Sequence, residues 1–256
     1  MMETIGLIAA MPEEIRPLLR RVGPVKRERR GGFTIYRFTG GGKEIILIES
    51  GIGAERAARA TRALIDAAAP GIILNIGFGG AVLPGPSVGD IVAADRLLFF
   101  RERLFSEQLG LAPALSPGLT TALERICAGK GFRSHRGTFV TTGEIIGKRM
   151  LAGLLPAGTI NPVLEMESAA VARIAHGRDI SFAAIRAISD GADEELGFSI
   201  GDFTDKEMRI RTWKVLWTLS KKPGILPQLL RLGMNSRRAG ENLALAVLAV
   251  IDGLRS

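Results

Sequence analysis

The chain has 256 residues, 46% of them hydrophobic, which excludes an intrinsically disordered chain and a small disulfide-stapled protein. Its formal net charge of +8 raises nucleic acid, a membrane surface and an anionic substrate as partners. Two segments carry that charge: residues 16–31, with seven basic side chains and one acidic, and residues 201–256, with ten basic and five acidic. The rest of the chain is mildly acidic.

Cysteine and histidine are scarce. The single cysteine, Cys127, excludes an intrachain disulfide and a cysteine-rich zinc site. His135 and His176 are the only histidines, so we expect them to be structural or surface residues, and we expect neither a metal nor a cofactor. The N-terminus has no positively charged leader and the apolar run 243–251 is half a membrane span, which together predict a cytoplasmic protein.

Short apolar runs alternate with amphipathic stretches in chain order. Strands are predicted at 4–10, 71–76, 88–93, 136–142, 161–166 and 181–188, a hairpin at 33–49, and helices at 12–22, 54–69, 119–128 and 168–176. After residue 203 we expect helices that break at Pro223-Gly224 and near Met234-Asn235. This alternation predicts one α/β domain over 1–256, with a mixed, largely parallel sheet flanked by helices. A basic helical extension is expected at about 204–238.

Carboxylates follow the carboxyl ends of the predicted strands, where open α/β sheets bind ligands. They are Glu13 and Glu14 after the first strand, Glu165 and Glu167 near 161–166, and Asp190, beside Ser189, after 181–188. Cleavage of an N-glycosidic bond needs an acid for the leaving base, a carboxylate for the attacking water and an ionised carboxylate for the ribose diol.

Structural roles stay open for the same residues. Glu13 and Glu14 would complement a helix dipole, and Asp190 would serve as a helix N-cap. Met166 would be a core residue, and the glycines of 77–80 an ordinary turn, since they lack the third glycine of a dinucleotide fingerprint.

Six motifs resemble those of the nucleoside phosphorylase/nucleosidase superfamily, and most of all those of the methylthioadenosine/S-adenosylhomocysteine nucleosidases. They lie at 5–14, 50–53, 75–80, 88–92, 165–167 and 186–190, and the resemblance covers about residues 3–200 plus a final helix. It implies a nucleoside phosphorylase-like fold, a nucleoside substrate, no metal or redox cofactor, and a homodimer.

The resemblance also implies roles for individual residues. Asp190 is similar to the acid that protonates purine N7, with Ser189 orienting it. Glu14 resembles the carboxylate that positions the attacking water, with Arg186 in the same pocket, and Glu167 resembles the residue that holds the ribose 2′ and 3′ hydroxyls. The other implied substrate contacts are Met166 on the sugar, Val140 and Ile146 around the base, and Glu165, Phe78, Gly79 and Ile145.

Three features depart from the family pattern. Phe78 stands where the nucleosidases have a small residue, which removes a hydroxyl near the sugar, and Ile145 stands where an aromatic is usual. Residues 206–238 are longer than a nucleosidase needs and mix Trp and Leu with basic residues; 222–227 resemble the tail of hopanoid-associated nucleoside phosphorylases. That segment predicts a helical pair over the sheet or at a dimer contact, or else a peripheral membrane or lipid contact. Nucleic acid is disfavoured, because no binding motif is present.

These observations favour an N-ribosyl hydrolase acting on a 5′-substituted purine nucleoside. The alternative is a purine nucleoside phosphorylase of the same fold, including one that takes a lipid-linked (hopanoid) adenosine, and a third hypothesis is a non-catalytic binding module. Glu14 favours water as the nucleophile, because a carboxylate repels phosphate. The base and the 5′ substituent stay open.

Overall fold

The computed structural model describes residues 4–107, 117–144, 146–194 and 226–254. Ile145 and residues 204–225 of the predicted extension therefore lie outside the described part of the chain. The elements are β1 (Thr4–Ala9), α1 (Pro12–Leu19), β2 (Lys26–Arg30), β3 (Phe33–Gly40), β4 (Lys43–Glu49), α2 (Ala54–Ala68), β5 (Ile72–Ala81), β6 (Ile91–Arg101), β7 (Leu104–Glu107), α3 (Pro117–Lys130), β8 (Ser134–Thr142), α4 (Lys148–Ala152), β9 (Val163–Glu165), α5 (Ser168–His176), β10 (Ser181–Asp190) and α6 (Leu226–Gly253).

The strands form one mixed sheet in the order β10-β6-β8-β9-β5-β1-β4-β3-β2, with β7 beside β6. Strand β10 also pairs with β5, so the β5, β10, β6, β8 and β9 part of the sheet closes on itself. Parallel pairings join β1 to β4 and β5, β5 to β10, and β8 to β6 and β9. The predicted α/β class and the hairpin of β3 and β4 are confirmed.

Strand β5 is buried on both faces, which explains its unbroken apolar sequence. Ile72, Leu74 and Ile76 belong to a core shared with α1, α3 and α6. Ile73, on the opposite face, belongs to a second core shared with α2 and α5. The sheet is thus covered by helices on both sides, and β5 runs through its middle towards the predicted site.

Helix α6 continues without interruption through Met234 and Asn235, so the predicted break there is wrong. Gly233 and Asn235 lower helix propensity by up to about 1 kcal/mol each. The helix is held by its packing, because Leu243, Val247 and Val250 are fully buried in the core shared with α1 and α3. Tertiary packing outweighs a weak local signal of this size.

Strand β2 is an edge strand that no apolar pattern predicted. All five of its residues are charged, and Arg37 of β3 forms an ion pair with its Glu28 at 3.0 Å. Charged side chains on an edge strand discourage pairing with another chain. Arg20 and Arg21, also in the N-terminal basic segment, bind Glu241 of α6 at 2.6 and 2.5 Å.

Within the described ranges, no helix is long and apolar enough to cross a membrane.

Candidate active site

Glu14 lies in the first turn of α1 with its carboxylate buried at the carboxyl-end half of β5. One oxygen, Oε2, accepts hydrogen bonds from the backbone N–H groups of Ala10 and Met11 at 2.8 and 2.9 Å. The other, Oε1, accepts from the N–H of Phe78 at 2.8 Å. Burial raises the pKa of Glu14 above its ordinary value, and these three backbone donors and Arg186 oppose that rise. A helix cap needs only the nearby donors of Ala10 and Met11. The hydrogen bond from Phe78 joins the carboxylate to β5 as well, so Glu14 does more than cap its helix.

Arg186 of β10 is the cation at the centre of the buried carboxylates, and its side chain is 1% exposed. Its Nη2 donates at 2.6 Å to both Glu165 Oε2 and Asn75 Oδ1, and at 2.9 Å to the hydroxyl of Ser168. Its guanidinium carbon lies 5.6 Å from the centre of the Phe139 ring. These contacts fix the guanidinium between β5, β9 and the start of α5.

Glu165 and Glu167 lie two residues apart yet differ in protonation behaviour. Burial alone would raise the pKa of Glu165, but Arg186, Thr141 and the N–H groups of Ser168 and Glu167 hold it below its ordinary value. Burial and the neighbouring Glu165 raise the pKa of Glu167 to about 7. Glu165 is therefore the permanent counter-ion of Arg186, and Glu167 is the carboxylate that changes charge near neutral pH.

Glu167 also connects two helices. It precedes Ser168, the first residue of α5, and its Oε1 accepts a hydrogen bond from the N–H of Gly53 at 2.8 Å, at the start of α2. Gly53 has φ +100°, a conformation that glycine adopts freely and other residues rarely do. The glycine motif at 50–53 thus supplies a backbone donor to the site.

Asp190 ends β10, and both of its carboxylate oxygens have partners. Ser189 Oγ donates to Oδ1 at 2.6 Å, and the ammonium of Lys148 is ion-paired with Oδ2. Lys148, the first residue of α4, also donates to the carbonyl oxygen of Gly191 at 2.7 Å. The side chains of Lys148 and Asp190 are 8% and 15% exposed.

The glycines of β5 make room for the two carboxylates. A Cβ on Gly77 would lie 2.8 Å from Glu14 Oε1, and a Cβ on Gly80 would lie 2.6 Å from Asp190 Oδ2. On Gly79 it would lie 2.3 Å from a methyl group of Val163. All three distances are too short for a real side chain, so each glycine is required by close packing, and an ordinary turn does not need that.

The other predicted substrate contacts are mostly apolar residues. Phe78 is half-buried and packs against the core shared with α1 and α6; a Cβ on Gly240 would lie 3.5 Å from its ring. Val140 is fully buried and Ile146 partly buried in a third apolar cluster near α4, and Met166 is half-buried between Glu165 and Glu167. Their predicted contacts with substrate stay predictions, as does that of Ile145, which lies outside the described residues.

Four residues of this network were missed at the sequence level. They are Asn75, Thr141, Lys148 and Ser168. Asn75 lies inside a recognised motif and is a polar residue on the otherwise apolar strand β5, which is a local signal. Ser168 lies directly after the motif at 165–167, at the start of α5. Lys148 is 42 residues from Asp190, and no local pattern connects the two. Among the described residues, no group of three or more His, Cys, Asp and Glu has the arrangement of a metal site.

The mixed sheet brings buried carboxylates and an arginine together around the end of β5, which defines an α/β protein with a carboxylate-rich candidate active site. The profile of the Phosphorylase superfamily matches residues 4–219, and the chain belongs to that superfamily. It is 34% identical over 217 residues to a protein of Listeria welshimeri named 5′-methylthioadenosine/S-adenosylhomocysteine nucleosidase, covering 78% of this chain and 91% of that one. A protein of the same name from Actinobacillus succinogenes is 30% identical over 209 residues, covering 78% and 90%.

A solved structure has the same fold. It is the 5′-methylthioadenosine/S-adenosylhomocysteine nucleosidase of S. pneumoniae with a transition-state inhibitor, with a TM-score of 0.71 at 22% identity over 98% of this chain and 99% of that one. The predicted superfamily and fold are therefore confirmed.

Proposed function

We propose that the protein is an N-ribosyl hydrolase that cleaves the N-glycosidic bond of a 5′-substituted purine nucleoside of the methylthioadenosine/S-adenosylhomocysteine type. Two relatives with that activity in their names are at least 30% identical over most of both chains. The buried groups supply the three parts that the reaction needs: Glu14 for water, Glu167 for the ribose and Asp190 for the leaving base. No part of this chemistry calls for a cofactor.

The observation that carries the proposal is the hydrogen bonding of Glu14. A carboxylate has about four lone-pair positions. Three accept the N–H groups of Ala10, Met11 and Phe78, which leaves one on Oε1. That position fits a neutral water molecule, which donates a hydrogen bond to the carboxylate, and it disfavours phosphate, whose net negative charge the carboxylate repels. Water is therefore favoured over phosphate as the nucleophile.

The proposed reaction uses the groups as follows. Protonation of purine N7 at Asp190 lets the base leave with the electrons of the C1′–N9 bond. The sugar then carries oxocarbenium-like charge, which the carboxylates of the site stabilise. Glu14 accepts a proton as water adds to C1′, and Glu167 accepts hydrogen bonds from the 2′ and 3′ hydroxyls. Arg186 holds Glu165 in place and tempers the mutual repulsion of the buried carboxylates.

Release of purine from methylthioadenosine is expected to proceed at the same rate with and without inorganic phosphate. The measurement is adenine production in phosphate-free buffer and after addition of roughly 10–50 mM phosphate, at least about ten times the upper end of common KM values. The sugar product is methylthioribose in both cases. Turnover that requires phosphate and yields a ribose 1-phosphate supports the phosphorylase alternative. Absence of turnover in both buffers supports the binding module or a different 5′ substituent.

The value of kcat/KM for methylthioadenosine is expected to fall as the pH is lowered below about 7, because Glu167 then takes up a proton. A neutral carboxyl group loses acceptor strength toward the ribose diol, and the decline approaches about tenfold per pH unit. Glu167→Gln is the matched control, with weak binding at every pH and no such decline. A decline that persists unchanged in Glu167→Gln assigns the titration to another group, with Glu14 the first candidate.

The partner and location predictions accompany this proposal. We propose a homodimer on the strength of the family resemblance, and the cytoplasmic location stays the prediction made from the sequence. The suggested peripheral membrane or lipid contact at 206–238 falls mostly outside the described residues. Of its described part, Leu230 and Met234 are 61% and 67% exposed, and Arg231 forms an ion pair with Glu194 at 3.2 Å. That arrangement is compatible with each of the alternatives given for the segment.

A further inference from the structure

Lys148 is a buried cation placed directly against the carboxylate that the proposed function uses as its acid. Its ammonium has three N–H groups and three acceptors: Asp190 Oδ2, the carbonyl oxygen of Asp190 at 3.3 Å and that of Gly191 at 2.7 Å. Its Cε would lie 2.8 Å from a Cβ on Gly80, so β5 leaves room for this side chain. The ammonium of Lys148 thus has as many acceptors as N–H groups, and one of these N–H groups points to the carboxylate of Asp190.

The partners of Asp190 determine which group holds a proton. Oδ1 accepts from the hydroxyl of Ser189, and Oδ2 accepts from Lys148. Both oxygens therefore accept from a donor, which is the hydrogen bonding of a carboxylate and not of a carboxylic acid. An ionised carboxylate has no proton to give to a leaving base. Among the described residues, the positively charged group in contact with Asp190 that has a transferable proton is the ammonium of Lys148.

We propose that Lys148 supplies the proton that reaches purine N7, with Asp190 as the relay. This inference rests on the proposed hydrolysis of a purine nucleoside. As the C1′–N9 bond breaks, a proton of Lys148 Nζ passes to Asp190 and from Asp190 to N7, and the electron pair of the broken bond stays on the base. Water adds to C1′ and gives its proton to Glu14. Release of that proton to solvent and uptake of one by Lys148 restore the starting state, so only water is consumed.

A second reading of the same contacts is a clamp, in which Lys148 only fixes the end of β10 through two carbonyl groups. Two replacements separate these roles. Lys148→Met keeps the length of the apolar stem and removes the ammonium. Lys148→Arg keeps a positive charge and several donors, but its guanidinium does not give up a proton in proteins. A clamp or a purely electrostatic partner tolerates arginine, whereas a proton source does not.

With methylthioadenosine, both variants are expected to lose about 10²–10⁴-fold in kcat, the usual contribution of a positioned acid, while KM changes less than threefold. The second substrate is the 4-nitrophenyl riboside with the same 5′-methylthio group, whose leaving group departs as a stable anion and needs no acid. On that substrate both variants are expected to stay within about threefold of the wild type. Melting temperatures are measured alongside.

The possible outcomes decide the assignment. Wild-type kcat on methylthioadenosine in Lys148→Met, wild-type kcat in Lys148→Arg, or an equal loss on both substrates each overturns the role of Lys148 as proton source. Retention on the nitrophenyl riboside with loss on methylthioadenosine in both variants supports it. Wild-type protein that releases no purine from methylthioadenosine contradicts the proposed function itself, which is a separate result from any behaviour of the variants.

Discussion

Asp190→Asn is expected to abolish measurable purine release from methylthioadenosine while leaving the fold intact. The amide has the shape of the carboxylate but neither relays a proton nor pairs with the ammonium of Lys148. Loss of a positioned acid costs about 10²–10⁴-fold in rate. Asn also turns one acceptor of the pair into a donor aimed at Lys148 or Ser189, so we place the loss at the upper end of that range.

The fold should survive this change because of where Asp190 lies. It is at the end of β10, its side chain is 15% exposed, and Lys148 keeps two carbonyl acceptors without it. The measurements are adenine release and the melting temperature of the same preparation. Ser189→Ala is the control, because it removes the hydrogen bond to Oδ1 and a longer one, 3.4 Å, to the carbonyl oxygen of Gly79, but keeps the carboxylate of Asp190, and should cost much less in rate. Activity near the wild-type level in Asp190→Asn would mean that another group is the acid.

The sequence located the carboxylates of the site because each follows an apolar run. Strand β10 is recognisable from the apolar residues between Phe182 and Ile188, which only Arg186 interrupts, and the polar pair Ser189 and Asp190 marks its end. The same reasoning found Glu14 after β1 and Glu165 and Glu167 around β9. A polar residue at the end of a buried strand is local information, so a single sequence contains it.

The partners of those carboxylates were mostly outside the reach of the sequence. Arg186 and Asn75 meet across 111 residues, and Lys148 meets the end of β10 across 42. Such contacts depend on strand order and register, and no periodicity of the sequence encodes them. The closure of the sheet through the pairing of β10 with β5 and β6 is of the same kind. The charged strand β2 was missed for another reason, since an edge strand needs no apolar face.

Replacing Arg186 with Met is expected to lower the free energy of unfolding by about 3–5 kcal/mol, the usual cost of removing one partner of a buried ion pair. The side chain of Glu165 is 0% exposed, and its Oε2 would lose the cation that lies 2.6 Å away. Asn75 and Ser168 would each lose a hydrogen bond as well. At about 2–4 °C per kcal/mol for a chain of this size, the melting temperature should fall by roughly 6–20 °C.

The contribution of Glu165 to the pH dependence of stability should have opposite signs in the wild type and in Arg186→Met. In the wild type Arg186 helps to hold its pKa below the ordinary value, so its contribution to stability is present above that value and is lost as the pH falls through the lowered pKa. In Arg186→Met burial is left opposed only by hydrogen bonds, and a raised pKa makes the folded state lose stability as the pH rises. Unfolding by urea at several pH values measures both slopes.

The double variant Arg186→Met with Glu165→Gln tests the cause. Removing both charges of a buried pair is often close to neutral, whereas removing one leaves an uncompensated charge. The neutral amide should therefore recover a large part of the stability lost in Arg186→Met, and the double-mutant cycle should give a coupling of about 2 kcal/mol or more. A double variant no more stable than Arg186→Met would show that the lost packing and hydrogen bonds, and not the charge of Glu165, account for the effect. Recovery would identify Arg186 as the cation that allows three carboxylates to be buried around one sheet end.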